Sequence, residues 1–331
     1  MNDKVKIGLF GIGHLGKIHL KCLQMLSDKF EIVGAYDPDT KTTEFVNKEF
    51  NIPIFDNIDH LLDRVEAVDI VSPTSTHFDI ASLAIQSGKH VFVEKPVAST
   101  RDEGIRLMDL HRQYPSVIQV GHVERFNPAY LSVKDLDIQP LFIECHRLAQ
   151  FNMRGTDVSV ILDLMIHDLD LILHIVKSKV VSISANGVCI VSQTPDIGNV
   201  RLEFENGCTA NITASRLSLK NMRKMRVFQP DAYISMDFLD KSSQIVRLVD
   251  EDGPEDGMVM ETAKGMKKLI FDNPSLPEVN AIKEELNAFA DSIINEDQPL
   301  VSLEDGVNAL ILAHDINDKI KTNEVAMSKK I

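Results

Sequence analysis

Along the first 120 residues, short apolar runs alternate with longer segments in which apolar positions recur every three or four residues. The runs fall at 5–10, 30–36, 54–55, 67–71, 90–93 and 117–120, and the periodic segments at 13–27, 40–50, 58–64, 76–87 and 101–114. Short apolar runs between turn formers read as strands buried on both faces, and a 3.6-residue period reads as a helix with one inward face. Parallel strands need crossovers, which such helices supply. The first third is therefore predicted to be an α/β domain with a doubly wound parallel sheet.

The pattern changes after Val120. Gly121 to Tyr130 mixes a glycine, a proline and polar residues without clear periodicity, so the boundary is set there, giving domains 1–121 and 122–331. Beyond it the sequence predicts one long helix over 155–177 and strands over 180–191, 199–205, 208–217, 222–228, 233–238 and 244–249. A loop over 250–257 and closing helices over 279–294 and 303–321 follow. Asn206-Gly207 between two alternating strands predicts a two-residue hairpin turn, because both residues tolerate positive φ. The second domain is expected to be α+β with a mostly antiparallel sheet.

Bulk properties narrow the function. A chain of 331 residues, 44% hydrophobic and 25% charged, can fill two cores. A net charge of -14 opposes a phosphate-tracking surface, so nucleic acid is not an expected partner. Cys22, Cys145, Cys189 and Cys208 are too scattered for a zinc ribbon or a redox pair; no metal is expected, and a reducing cytoplasm fits. No stretch of about 18 uninterrupted apolar residues suggests a membrane span.

The chemistry begins at Gly11-Ile12-Gly13-His14-Leu15-Gly16, which follows the first strand and opens the first helix. In that context the glycines permit a tight turn against a pyrophosphate, and the helix N-terminus offers free N–H groups. Asp37 ends the second strand about 20 residues on, where a carboxylate accepts ribose hydroxyls and repels a 2′-phosphate. NAD is thus favoured over NADP. Glu94-Lys95-Pro96 closes the 90–93 strand at the ligand-binding edge of such a sheet. There Lys95 reads either as a group aimed at the nicotinamide or as a surface lysine. In the long helix, Asp163, His167 and Asp170 are spaced by four and three, on one face. That face reads either as a catalytic set or as a core histidine with polar partners.

Taken together, Gly11 to His19, Glu94 to Pro96 and Asp163 to Asp170 resemble the Gfo/Idh/MocA oxidoreductases over nearly the whole chain. The resemblance implies a Rossmann domain followed by an α+β domain, with Lys95, Asp163 and His167 in the active site. It sets Thr74 and His77 along the cofactor, with Thr74 where the family often has Asn, and Arg125 near the nicotinamide end. Arg154-Gly155-Thr156-Asp157 and Phe228 to Tyr233 resemble the family's bacterial nucleotide-sugar dehydrogenases, which implies Arg154 as a substrate contact and, at its finest, the 3-hydroxyl of UDP-N-acetylglucosamine. Arg216, Lys220, Arg223, Lys224 and Arg226 would suit a pyrophosphate, and equally a solvated strand face.

The implied reaction is oxidation of a secondary alcohol of a sugar or nucleotide sugar, which needs a base at the hydroxyl while hydride leaves to the cofactor. His167 is the first candidate base, since an imidazole titrates at ~6.5, with Lys95 stabilising the alkoxide; the reverse assignment stays open. Reduction of a biliverdin-like or dihydrodiol substrate, or a non-catalytic NAD-binding regulator, are the competing readings. In the strand at 208–217, Thr209, Asn211, Thr213 and Ser215 share a flat, small, polar face, and the resemblance implies a homodimer or homotetramer through that sheet.

Overall fold

In a computed structural model of the chain, residues 4–152, 158–253, 257–263, 265–276 and 278–328 are described. The chain divides into two compact units, Met1–Phe126 with Val279–Ile311, and Asn127–Glu278 with Leu312–Ile331.

The first unit runs β1 (Val5–Phe10), α1 (His14–Met25), β2 (Phe30–Tyr36), α2 (Thr40–Phe50), α3 (Ile58–Leu62), β3 (Ala67–Ile70), α4 (Thr74–Gln86), β4 (His90–Glu94), α5 (Arg101–Gln113) and β5 (Ile118–Gly121). The sheet is parallel in the order β2-β1-β3-β4-β5. Its strands have little sequence alternation because helices cover both faces; β3 and β5 are buried at every position. The predicted strand at 54–55 is reduced to a single parallel bridge from Ile54 to Ala35. The order reverses beside β1, and ligands of open α/β sheets bind off the strand C-termini at such a switch point.

The second unit opens with α6 (Pro128–Leu131) and β6 (Phe142–Leu148). A π-helical turn, Ile161–Met165, leads into α7 (Ile166–Val176). The strands that follow are β7 (Val180–Val188), β8 (Ile197–Phe204), β9 (Thr209–Ser215), β10 (Met222–Phe228), β11 (Ala232–Asp237), β12 (Ser242–Asp250), β13 (Met258–Thr262) and β14 (Gly265–Asp272). They form a nine-stranded sheet in the order β13-β14-β12-β11-β10-β6-β9-β8-β7, antiparallel except for the β6–β9 pair.

Three elements here escaped the sequence pattern. β6 alternates cleanly, with Ile143, Cys145 and Arg147 inward, but a buried arginine in an inward position disguises the period. β13 and β14 form the exposed end of the sheet and carry little burial alternation to read. The expected two-residue turn at Asn206-Gly207 is one residue longer: Phe204 donates to the Cys208 carbonyl, leaving Glu205 to Gly207 as the loop, with Gly207 at φ 86°.

Two helices close the chain, α8 (Ala281–Ile294) and α9 (Leu303–Ser328). The sequence assigned both to the second domain. Instead α8 belongs to the first unit, where Leu286, Phe289 and Ala290 enter the same core as Leu20, Leu23 and Phe92. The Phe289 and Phe92 rings meet edge-on at 5.8 Å. Residues of α9 up to Ile311 also count with the first unit, and the division after Phe126 lies five residues beyond the sequence-based boundary.

Candidate functional site

At the C-terminal edge of the parallel sheet, each glycine of the β1–α1 loop has a distinct job. Gly11 sits at φ 91°, and a Cβ there would lie 2.6 Å from the Ser72 backbone. A Cβ on Gly16 would lie 2.2 Å from the Gly11 carbonyl oxygen, so only glycine lets the helix pack on the loop. Around Gly13 the space is open, and α1 begins there with no side-chain cap on its N-terminus. Open space over uncapped N–H groups is an anion cradle, so this loop fits a dinucleotide pyrophosphate. His14 is exposed and Leu15 half-buried in the first helical turn.

Asp37 follows β2 and accepts the Ile12 N–H at 2.9 Å and the Asp39 N–H at 2.9 Å. This ties the Asp37 carboxylate, expected at the ribose, to the glycine loop. On the other side of the switch point, Thr74 opens α4, and its carbonyl accepts the Ser99 hydroxyl at 3.2 Å. The buried His77 ring lies 2.8 Å from both the Pro96 and Ser72 carbonyl oxygens, strapping the two loops together. Desolvation lowers the His77 pKa. Arg125 lies in a short 3-10 turn after β5, buried, with a guanidinium nitrogen 3.6 Å from Asp305.

Lys95 is half-buried and joined to Pro96 by a cis peptide bond. Glu94, expected at the cofactor, turns its carboxylate inward and accepts the Lys95 backbone N–H at 3.1 Å. Behind it lies a cluster that sequence reasoning did not single out as a site. Nδ1 of His19, on α1, is 3.1 Å from Asp69 of β3, and Nε2 is 3.2 Å from Glu94 in an ion-pair contact off the straight hydrogen-bond line. His19 and Asp69 are fully buried. Burial alone would discharge His19, but Asp69 and then Glu94 outweigh it and hold its pKa well above 6.5. Glu285 of α8 completes the group, with potential ligand atoms of His19, Glu94 and Glu285 all within 4.8 Å of one another. Only His19, inside the first helix at the end of the glycine motif, hinted at this cluster in the sequence.

In the second unit, Asp163 lies in the π-helical turn and His167 in the first turn of α7. The helical segment does not start at Gly155 as expected. Ser159 caps it, its hydroxyl accepting the Leu162 N–H at 3.4 Å, and Arg154 lies outside the described residues. The wide turn also breaks strict α periodicity, and π-turns recur at functional sites. Asp163 and His167 are half-buried whereas Asp170 is only 1% exposed, so the three are not equivalent members of one open face. Beside His167, Asp168 forms a buried bidentate pair with Arg147, Nε and Nη2 donating at 2.8 and 2.9 Å. Of the basic cluster, Arg226 pairs with Glu144 at 2.7 Å and Lys224 with Asp237 at 3.0 Å, while buried Arg216 donates to the Val158 carbonyl. Strand-face ion pairs thus take up Arg226 and Lys224, and a loop carbonyl takes Arg216.

A doubly wound sheet with a glycine cradle at its first β–α turn, a carboxylate after its second strand and a lysine loop at its switch point has the architecture of a dinucleotide-binding oxidoreductase. Residues 5–122 match the Gfo/Idh/MocA oxidoreductase family with its NAD-binding Rossmann fold, and residues 144–234 match the Gfo/Idh/MocA C-terminal domain. The chain belongs to this family. It is 36% identical over 242 residues to the UDP-N-acetylglucosamine 3-dehydrogenase of Acidithiobacillus ferrooxidans, covering 73% of this chain and 76% of the relative. The solved structure of an enzyme of that name and organism superposes with a TM-score of 0.87 and 29% identity, covering 97% of this chain and 99% of that one. The scyllo-inositol 2-dehydrogenase (NAD+) of Bacillus subtilis is 28% identical over 66% of this chain and 69% of its own length.

Proposed function

We propose that this NAD-binding oxidoreductase oxidises a secondary hydroxyl of a nucleotide sugar, the 3-hydroxyl of UDP-N-acetylglucosamine being the leading candidate. The observation that carries the substrate is the 36% identity to a 3-dehydrogenase of that sugar nucleotide, joined to a structural match over 97% of the chain. NAD, when bound, supplies the hydride acceptor.

The chain's own residues supply the rest. The Gly11 to Gly16 loop receives the pyrophosphate, and Asp37 accepts the ribose hydroxyls. At the sugar hydroxyl the O–H proton passes to a ring nitrogen of His167 as the C–H hydride leaves, so a carbonyl forms in place of the alcohol. The Lys95 ammonium stabilises the negative charge that gathers on that oxygen. Asp163 holds a neighbouring sugar hydroxyl or the imidazole, and Arg154 contacts the substrate.

We assign the working form to a cytoplasmic homo-oligomer assembled through the small polar face of β9. Thr209, Asn211 and Thr213 lie on that face, with Asn199 donating to Thr213 at 2.9 Å and Arg201 to Asn211 at 3.3 Å. Sedimentation at micromolar concentration tests it, and a monomer alone would contradict it. The substrate is tested by following reduced-nicotinamide absorbance with NAD and a panel of UDP-N-acetylglucosamine, free N-acetylglucosamine and inositols. Turnover led by the sugar nucleotide is expected. Turnover led by an inositol, or with none of the panel, would overturn the substrate assignment.

A further inference from the structure

Five polar side chains from five elements are buried together behind Lys95: His19 of α1, Asp69 of β3, Glu94 of β4, Gln119 of β5 and Glu285 of α8. Cys22, Lys95 and His77 are the other titratable groups that bear on them. Asp69 and Glu94 flank the two ring nitrogens of His19. Two carboxylates this close favour a proton on each ring nitrogen, and they hold the His19 pKa well above 6.5 against its burial, so the imidazolium is the favoured form. Within the buried set that cation compensates two carboxylates only in part, the half-buried Lys95 being the other cation that bears on Glu94, and Glu285 then adds a third carboxyl.

Glu285 is fully buried, and among the described residues neither of its oxygens has a hydrogen-bond partner. Beside it, Gln119 gives its Nε2–H to the Glu285 backbone carbonyl at 2.6 Å, while the Gln119 Oε1 likewise lacks a donor. The corner therefore holds more acceptors than donors. An ionised Glu285 would add a further buried charge to the core; a protonated one removes that charge and supplies a donor.

We propose that Glu285 is a positioning residue, kept as a neutral carboxylic acid whose O–H donates to the Glu94 carboxylate and so fixes the start of the Lys95 loop. The Glu94 carboxylate is the pivot of this arrangement. It faces His19 and Glu285 on one side, holds the Lys95 backbone N–H at 3.1 Å, and lies so close to Gly121 that a Cβ there would be 2.8 Å from Oε1. Burial, then the Glu94 charge, raises the Glu285 pKa well above 4.5, in the same direction. The inference rests on Lys95 acting at the substrate. It goes further by giving α8, outside the 5–122 family segment, a part in placing that lysine.

The test is infrared difference spectroscopy of the full-length protein at neutral pH, wild type against Glu285→Gln. A protonated carboxyl band above the amide I region is expected in the wild type and absent from the variant. Kinetics of Glu285→Gln and Glu285→Leu complete it. The glutamine still donates toward Glu94 and should keep kcat within about threefold, whereas the leucine should lower kcat about tenfold or more at unchanged KM for NAD. Absence of the band, equal kcat in the two variants, or one equivalent of divalent metal by mass spectrometry would each overturn the inference. The metal would instead make His19, Glu94 and Glu285 its ligands. If the leucine variant does not fold, the band decides alone. Failure of the underlying Lys95 reading looks different, since Lys95→Met would turn over normally while the band persisted.

Discussion

Replacing Arg147 with methionine isolates the interaction that braces the helix carrying His167. The wild-type guanidinium makes two charge-assisted bonds to Asp168, at 2.8 and 2.9 Å, with side chains only 4% and 3% exposed. Removing one partner of such a pair leaves the other charged and dry, at a cost of about 3–5 kcal/mol. For a unit of this size, 1 kcal/mol corresponds to roughly 2–4 °C, so the second unit should melt roughly 6–20 °C earlier. The double variant Arg147→Met/Asp168→Leu removes the carboxylate that has lost its guanidinium and fills the space with apolar atoms, and should recover at least half of the loss. Thermal melting followed by circular dichroism reads both values. A single variant melting within about 2 °C of wild type, or a double variant worse than the single, would refute the reasoning.

Two further outcomes follow from the first unit. Asp37→Ala removes the carboxylate that holds the Ile12 N–H, and should weaken NAD about 10- to 100-fold while raising the NADP-to-NAD preference; unchanged preference in paired titrations would remove Asp37 from the ribose site. The His19 cluster predicts alkaline destabilisation. His19 and Glu285 both have folded pKa values above their ordinary 6.5 and 4.5, so the folded state binds more protons, and their stabilisation, full below those values, is lost as pH rises through the folded ones. The melting temperature of wild type should therefore fall more steeply on the alkaline side than that of His19→Gln/Glu285→Gln, and parallel curves would contradict the assignment.

Much of the first unit was legible because its signals are local. The β1 run, the glycine triplet and Asp37 lie within a single βαβ unit, and each has one physical use there. The Gly11 and Gly16 contacts arise from backbone crowding that only glycine tolerates, which a motif records directly. What stayed hidden depends on partners distant in sequence. Arg147 hides β6 because an inward arginine looks like an error in a strand pattern until Asp168, 21 residues on, is seen to pair with it. Glu285 looks like any solvated helix glutamate until α8 packs into the first unit. The π-helical turn before α7 likewise displaces Asp163 from the regular spacing the sequence suggests.

Lys95 is proposed to act on the hydroxyl that loses hydride, rather than merely to close a strand. Turnover of UDP-N-acetylglucosamine with NAD by wild type and Lys95→Met, alongside NAD titration of both, tests it most directly. A fall in kcat of about 100-fold or more with NAD affinity nearly unchanged is the predicted result, the scale of losing electrostatic or acid–base help. Wild-type turnover in the methionine variant would remove Lys95 from the reaction.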